Sequence, residues 1–192
     1  MKTLLLKEKE NMIFFPEEDT QYVMFLRSSS TTLEVNFEKE GVSCEVLILG
    51  KIKKGNSVVL NTIAHHLVPN TSCLTTYHAV LEDSSSSDYT GKIIIAEKAF
   101  QTTSYLNNKT LVAGENVKNI SKPELEIESD DVKASHGSST GRIREEDIFY
   151  LISRGLSRKE AEGIIIEGFF ENVLSKIMDE EVREKVRAEV KY

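Results

Sequence analysis

Between Thr31 and Ile120 the chain alternates short apolar runs with turn residues, and no helical pattern develops in between. Leu33, Val35 and Phe37 alternate with Glu34 and Asn36, the mark of a strand with one face buried. Further strand-like pieces are predicted at residues 44–49, 57–60, 63–68, 74–81, 92–96, 110–113 and 117–120. Gly41, Gly50, the 53–56 turn, Pro69-Asn70, the polar 83–88 loop and Gly114 separate them. Two apolar runs further upstream, 12–15 and 22–26, are read as strands on either side of an acidic loop. A strand about every 8–12 residues fits a sandwich, a barrel or a parallel β-helix, and spacing does not choose among the three. No tandem repeat of fixed spelling is visible to favour a solenoid.

The rhythm changes across residues 121–141. Leu125, Ile127 and Val132 are the apolar teeth of two short strands, with a turn at Asp130-Asp131. Pro123 has no amide hydrogen and suits a strand start. Gly137 and Gly141 punctuate the exit. The remainder reads as helices. Glu145, Glu146 and Asp147 place negative charge in a first turn, and Ile148, Leu151 and Ile152 form its apolar stripe. Arg154-Gly155 reads as its end. Ser157 and Glu160 have capping-box spacing and open a second helix, with Ala161, Ile164, Ile165, Phe169 and Val173 at helical intervals. Asp179 is the cap of a third helix, edged by Val182, Val186 and Val190.

Composition narrows the function classes. The chain has 192 residues, 40% hydrophobic and 29% charged, as soluble domains do. A net charge of −7 gives no footing for a nucleic-acid partner, and no basic run marks a membrane surface. The Leu4-Leu5-Leu6 run is cut off by Lys7, Glu8, Lys9 and Glu10, too soon for a signal core or a membrane span. A cytoplasmic, reduced protein is expected, so the three Asn-x-Ser/Thr triplets are read as chance. No phosphate loop is present, so the chain is not expected to hydrolyse ATP itself, and G-x-S-x-G and H-E-x-x-H motifs are absent as well.

Four histidines and two cysteines are the candidate ligands. His136 stands at the strand-to-helix junction, where a neutral imidazole is either a metal ligand or a group satisfying turn carbonyls. His65 and His66 are neighbours on a strand, so they face opposite ways and do not chelate one ion. His78 is isolated. Cys44 lies in an apolar strand and reads as a small buried hydrophobe, whereas Cys73 follows Asn70-Thr71-Ser72 and is expected to be the more exposed thiol. The second helix carries more apolar residues than one face needs, with Ile164-Ile165-Ile166 followed by Phe169-Phe170. That excess predicts a second contact surface.

The spelling "KPELEIESDDVKASHGSSTG", continued by "REEDIFYLISRGLSRKEAEGIIIEGFFENVL", resembles the C-terminal core of the SufB/SufD family, scaffolds of iron–sulfur cluster assembly. The likeness extends more loosely back to about Val42, and the family's N-terminal part has no counterpart here. The resemblance implies a mainly β fold, a right-handed parallel β-helix followed by a small C-terminal α-helical domain. The division expected is residues 1–30 as N-terminal strands, 31–141 as β-helix core and 142–192 as helical domain. Many SufD-type sequences have Lys-Cys-Ser-His-Gly where this chain has Lys133, Ala134, Ser135, His136 and Gly137. The family's histidine is implicated at the SufB–SufD interface, which makes His136 a cluster-ligand candidate acting with groups from a partner, with Cys73 a weaker one. His66, Pro69 and Thr71 resemble the family's H-x-x-P-x-T setting, a structural one. The family's helical region binds the ATPase SufC, so Phe149, Ile152, Ile164, Ile165, Ile166, Phe169 and Phe170 become docking candidates. The expected role is a non-catalytic scaffold that couples a SufC-like ATPase to cluster formation at a β-helix dimer interface. Its mate is a SufB/SufD-like paralogue or a second copy, and a cluster is held only transiently. An interaction-only scaffold and a β-helix carbohydrate-active enzyme are the alternatives.

Overall fold

The computed structural model describes residues 1–191. Eleven strands come first: β1 (Lys2–Leu6), β2 (Asn11–Phe14), β3 (Thr20–Leu26), β4 (Ser29–Phe37), β5 (Ser43–Ile52), β6 (Ser57–His66), β7 (Ser72–Leu81), β8 (Ser86–Ile95), β9 (Thr102–Val112), β10 (Lys118–Ile127) and β11 (Val132–Arg142). Three helices follow, α1 (Glu145–Ser153), α2 (Arg158–Leu174) and α3 (Glu180–Val190). Odd-numbered strands form one sheet in the order β1-β3-β5-β7-β9-β11, called sheet A here. Even-numbered strands form the other, β10-β8-β6-β4-β2, called sheet B. Every neighbouring pair is parallel. Each strand therefore skips to the facing sheet and returns one place further along, which is the winding of a parallel β-helix.

The winding needs a sharp corner between successive strands. Gly41, Gly55, Asn70, Ser84, Gln101 and Asn116 each adopt a positive φ, and one such residue occupies each corner from β4–β5 to β9–β10. These corners recur every 14–17 residues, a longer period than the strand spacing expected from sequence. The difference arises because polar stretches are strand, not loop. Residues 57–60 and 63–68 merge largely into the single strand β6, and the serine-rich 83–88 segment runs into β8. In a β-helix polar side chains are tolerated on outward faces and, when hydrogen-bonded, inside the coil. The 137 and 141 glycines likewise lie within β11.

Alternation along each strand sends one set of side chains into the coil. Phe37, Ile48, Leu60, Tyr77, Tyr89 and Ile95 are among the fully buried members of that inner core. The Tyr77 and Tyr89 rings sit 4.9 Å apart. Their hydroxyls are hydrogen-bonded to Ser87 Oγ (3.2 Å) and Thr62 Oγ1 (2.8 Å) respectively, which removes the cost of burying them dry. The first three strands belong to the same solenoid, and the boundary expected at residue 30 falls inside β4.

A second core lies outside the coil. Val23, Leu47, Leu49 and Val80 on the outer face of sheet A are covered by Ile166, Phe170, Val173 and Leu174 of α2, with Val186 and Val190 of α3 closing the far side. Burying each aliphatic side chain of this kind is worth about 1.5–3 kcal/mol. Ser157 caps α2 in the expected box with Glu160, and the Asp179 carboxylate accepts the Val182 amide at 2.9 Å. Two polar clasps fix the helices in register. Buried Gln21 donates to the Lys176 carbonyl (2.9 Å) and accepts from the Met178 amide (3.0 Å). Lys51 Nζ donates to the carbonyls of Val190 (3.3 Å) and Lys191 (2.7 Å) at the end of α3.

Candidate functional site at the open end of the solenoid

Among the described residues, nothing is stacked on the last coil. In register, β10 lies on β8 and β11 lies on β9, and the other edge of each carries no strand. The inward direction of the inner coils is therefore an open mouth here. Ala134 is aligned with Ser104 and His136 with Leu106, both of which point into the coil. On the facing strand Leu125 is aligned with the core residue Ile93.

One half of the mouth is polar and closed. Ser121 Oγ lies 3.0 Å from Ser138 Oγ, and Asn119 Nδ2 donates to Thr140 Oγ1 at 2.9 Å. From the coil below, Asn108 Nδ2 donates to Ser121 Oγ at 2.7 Å. The same progression sets His136 opposite Pro123 and Ala134 opposite Leu125. The other half is apolar and open, with Leu125 39% and Ile127 40% exposed. His136 is exposed at the border between them. Its Lys133-to-Gly137 neighbourhood is a strand, so Ala134 and His136 share the inward face while Lys133 and Ser135 turn outward. A thiol at position 134 would thus stand beside the imidazole; with the methyl group present, His136 is the one imidazole or thiol of that row.

The remaining histidines diverge. His66 is fully buried, with Nδ1 2.8 Å from Thr71 Oγ1, Nε2 3.1 Å from Ser104 Oγ and its ring stacked on Phe37. Burial, with a smaller contribution from His65, pushes its pKa down to about 3. The H-x-x-P-x-T spelling is therefore a corner lock, in which the histidine and threonine bond across the β6–β7 turn. His65 faces the outside of sheet B and His78 the outside of sheet A beneath α2. Among the described residues no group of three or more His, Cys, Asp or Glu is arranged to hold a metal ion.

Cys73 is not the exposed thiol expected from its turn-side position. It is 1% exposed, directly beside Cys44 on the neighbouring strand, with both pointing inward. Burial pushes both thiols up to about 12. Neither presents a thiolate to solvent, so Cys73 does not share a surface with His136.

The docking candidates divide by helix face. Ile166 and Phe170 are buried against sheet A and belong to the second core. Phe169 is half-buried, its ring 4.9 Å from that of His78. Ile165 is half-buried as well. Phe149 at 74%, Ile152 at 41% and Ile164 at 48% are exposed. Tyr150, 57% exposed, joins them although its sequence neighbourhood gave no sign of it. Beside Ile164 runs a groove of about 390 Å³, lined also by Leu156, Gly163 and Glu167. No helix among the described residues is long and apolar enough to cross a membrane.

A parallel β-helix whose β10–β11 edges are unpaired, with a helical unit laid across one sheet, defines a β-solenoid protein. Residues 18–169 match the family model described as "SUF system FeS cluster assembly, SufBD core domain". The chain belongs to the SufBD family. It is 35% identical over 114 residues to the iron–sulfur cluster assembly protein SufD of Escherichia coli, covering 59% of this chain and 27% of that protein. A SufBD family protein of Mycobacterium leprae is 32% identical over 166 residues, 82% of this chain and 42% of that one. The SufB protein of Bacillus subtilis is 29% identical over 132 residues, 69% of this chain and 28% of its own length. The chain thus spans less than half the length of these relatives.

Proposed function

We propose that the chain is a scaffold component of a Suf-type iron–sulfur cluster assembly complex. The observation that supports this most is the family match across residues 18–169, which takes in the solenoid from β3 onward, α1 and most of α2. Membership of a family named for cluster assembly gives the coarse role, and the geometry suggests how its parts divide. The outer face of α1 and α2, with Phe149, Ile152 and Ile164, receives a SufC-like ATPase. The open edges of β10 and β11 receive a SufB/SufD-like paralogue or a second copy, because unpaired parallel edges template further strands. His136 then lies inside the junction, where it contributes one neutral nitrogen to a cluster whose other ligands come from the partner. The cluster is cargo, assembled and passed on. The chain supplies shape and one ligand rather than catalysis.

A second reading, a scaffold that binds partners without touching the cluster, is favoured by one observation. Ala134 supplies no thiol beside His136, and both cysteines are buried. Anaerobic co-purification with a SufC-type ATPase and a SufB-type partner tests the shared part: no stable complex overturns the scaffold assignment. Reconstitution of that complex with iron and sulfide then separates the two readings. The ligand role predicts less bound iron in His136→Ala, and unchanged iron leaves the interaction-only scaffold.

A further inference from the structure

The joint between α2 and sheet A contains one titratable group that packing alone does not explain. His78 points outward from β7, is 1% exposed, and has Leu49 on β5 and Lys109 on β9 as its partners in register. Its ring stacks on Phe169 of α2, 4.9 Å between centroids and 27° between planes. Neither Nδ1 nor Nε2 has a well-formed hydrogen bond to another described residue. Phenylalanine or leucine would fill this position without burying two polar nitrogens whose one weak contact is the Phe169 backbone. His66, on the far side of the same sheet system, has both nitrogens satisfied. The contrast singles out the histidine at the helix joint.

The charged groups facing His78 are cations. Lys109 approaches from β9 and Lys176 from the turn after α2, and both disfavour a second positive charge. On β5 the nearest charge is Lys51, one residue pair further along the same face and itself influenced by Glu167 of α2. Glu45 stands two such pairs away in the other direction and accepts a hydrogen bond from Gln21. Among the described residues, then, no carboxylate is placed against the imidazole. The Phe169 backbone is the one group that favours its charged form, and burial outweighs it.

We propose that His78 is a protonation switch in the fastening of the helical unit, such that a proton on its ring detaches α2 and α3 from sheet A while the solenoid stays folded. The geometry separates the two outcomes. Tyr77 and Ala79, the flanking residues on β7, point into the coil and keep their own core. The helices connect to the solenoid covalently only through the short link between β11 and α1. An imidazolium held dry among lysines is relieved by opening the joint to water, not by unwinding the coil.

Burial holds His78 down to about 4 while the helices are docked. Detached, the ring returns toward about 6.5, so acid favours the open form. By linkage the open population rises roughly thirty-fold between pH 7.5 and pH 5.0. Amide hydrogen exchange on the full chain, corrected for the intrinsic pH dependence, reads this population directly. Amides of α2 and α3 are expected to lose protection about thirty-fold at pH 5.0 and to remain less protected than those of β5 and β7, which exchange only when the coil itself unfolds. In His78→Phe, which retains the ring but not the proton site, helix protection is expected to be the same at both pH values. Should that variant not fold, His78→Gln carries the same expectation. Helices that stay protected in the unaltered protein, an equal loss in the variants, or helix amides no less protected than those of β5 and β7 would each overturn the switch.

Discussion

His136 on β11 and Leu106 on β9 are partners in register, so the imidazole leaves its strand on the same side as a buried core leucine. The histidine is exposed because no further coil covers it, and any partner that stacks on this end will bury it. Two residues back, Ala134 shares that face. Native protein is expected to show no rapidly reacting thiol with an aromatic disulfide reagent, since Cys44 and Cys73 are buried and held up to about 12. Ala134→Cys should add one reactive thiol per chain, beside His136. A fast-reacting native cysteine would show that the inner coil opens to solvent. An Ala134→Cys variant that stays silent would show that the mouth is covered.

The two faces of α2 should respond oppositely to substitution. Phe170 fills the core between α2 and sheet A, and Phe170→Ala is expected to destabilise the fold by about 3–5 kcal/mol in denaturant titration. Phe149 and Ile164 touch solvent. Phe149→Asp with Ile164→Asp should leave the stability within about 0.5 kcal/mol of the original. The same pair should weaken binding of a SufC-type ATPase by at least tenfold, measured by calorimetry. Full-strength binding by the double variant removes this face from the docking assignment.

Acid sensitivity of the solenoid itself should trace to His66. Its folded pKa, about 3, lies below the ordinary value of 6.5. The unfolded chain therefore binds the extra proton over that interval. The stabilisation is complete above pH 6.5 and is lost as pH falls toward 3, by up to about 1.4 kcal/mol per pH unit. His66→Gln should flatten the slope of stability against pH between about 6 and 4, at a cost in stability near neutral pH from the lost Phe37 stack and the bonds to Thr71 and Ser104. An unaltered slope would place the acid-sensitive group elsewhere.

The parts of this molecule that were readable beforehand are those where local chemistry decides. Ser157 with Glu160, Asp179, and Arg154-Gly155 each act through their own turn, and all stand where expected. The strand run from Leu33 to Phe37 alternates cleanly because one side faces a packed coil. β11 was obscured for the opposite reason. As the outermost strand it buries little, so Ser135, Gly137, Ser138 and Ser139 carry no hydrophobic rhythm and resemble a loop. Cys73 follows a turn, which in sequence suggests exposure, but its register with Cys44 puts it inside the coil. Ile166 and Phe170 could not be separated from Ile164 by composition; only the direction of sheet A distinguishes them. The winding itself depended on family spelling, because its repeat is conformational. The corners share a left-handed backbone but use Gly, Asn, Ser and Gln to make it.

That irregular spelling leads to a prediction about the corners. Gln101, between β8 and β9, adopts φ 53°, and Ser84, between β7 and β8, adopts φ 54°. A residue with a Cβ is strained in this region by about 1–2 kcal/mol, and glycine is not. Against this, glycine loses more backbone freedom on folding, by roughly 0.5–1 kcal/mol. Gln101 is exposed, so its side chain adds little packing to set against the relief. Gln101→Gly is therefore expected to raise stability by a few tenths to about 1 kcal/mol. Ser84 is also exposed, and its amide bonds to the Glu115 carbonyl at 2.8 Å, a contact that glycine preserves. Ser84→Gly should likewise stabilise, and the two effects should add because the corners lie on successive turns of the chain with no bond between them. Gln101→Val should do the reverse, since a β-branched side chain crowds the left-handed region most. A denaturant midpoint that falls in both glycine variants would mean that these corners are not held in the left-handed conformation in solution.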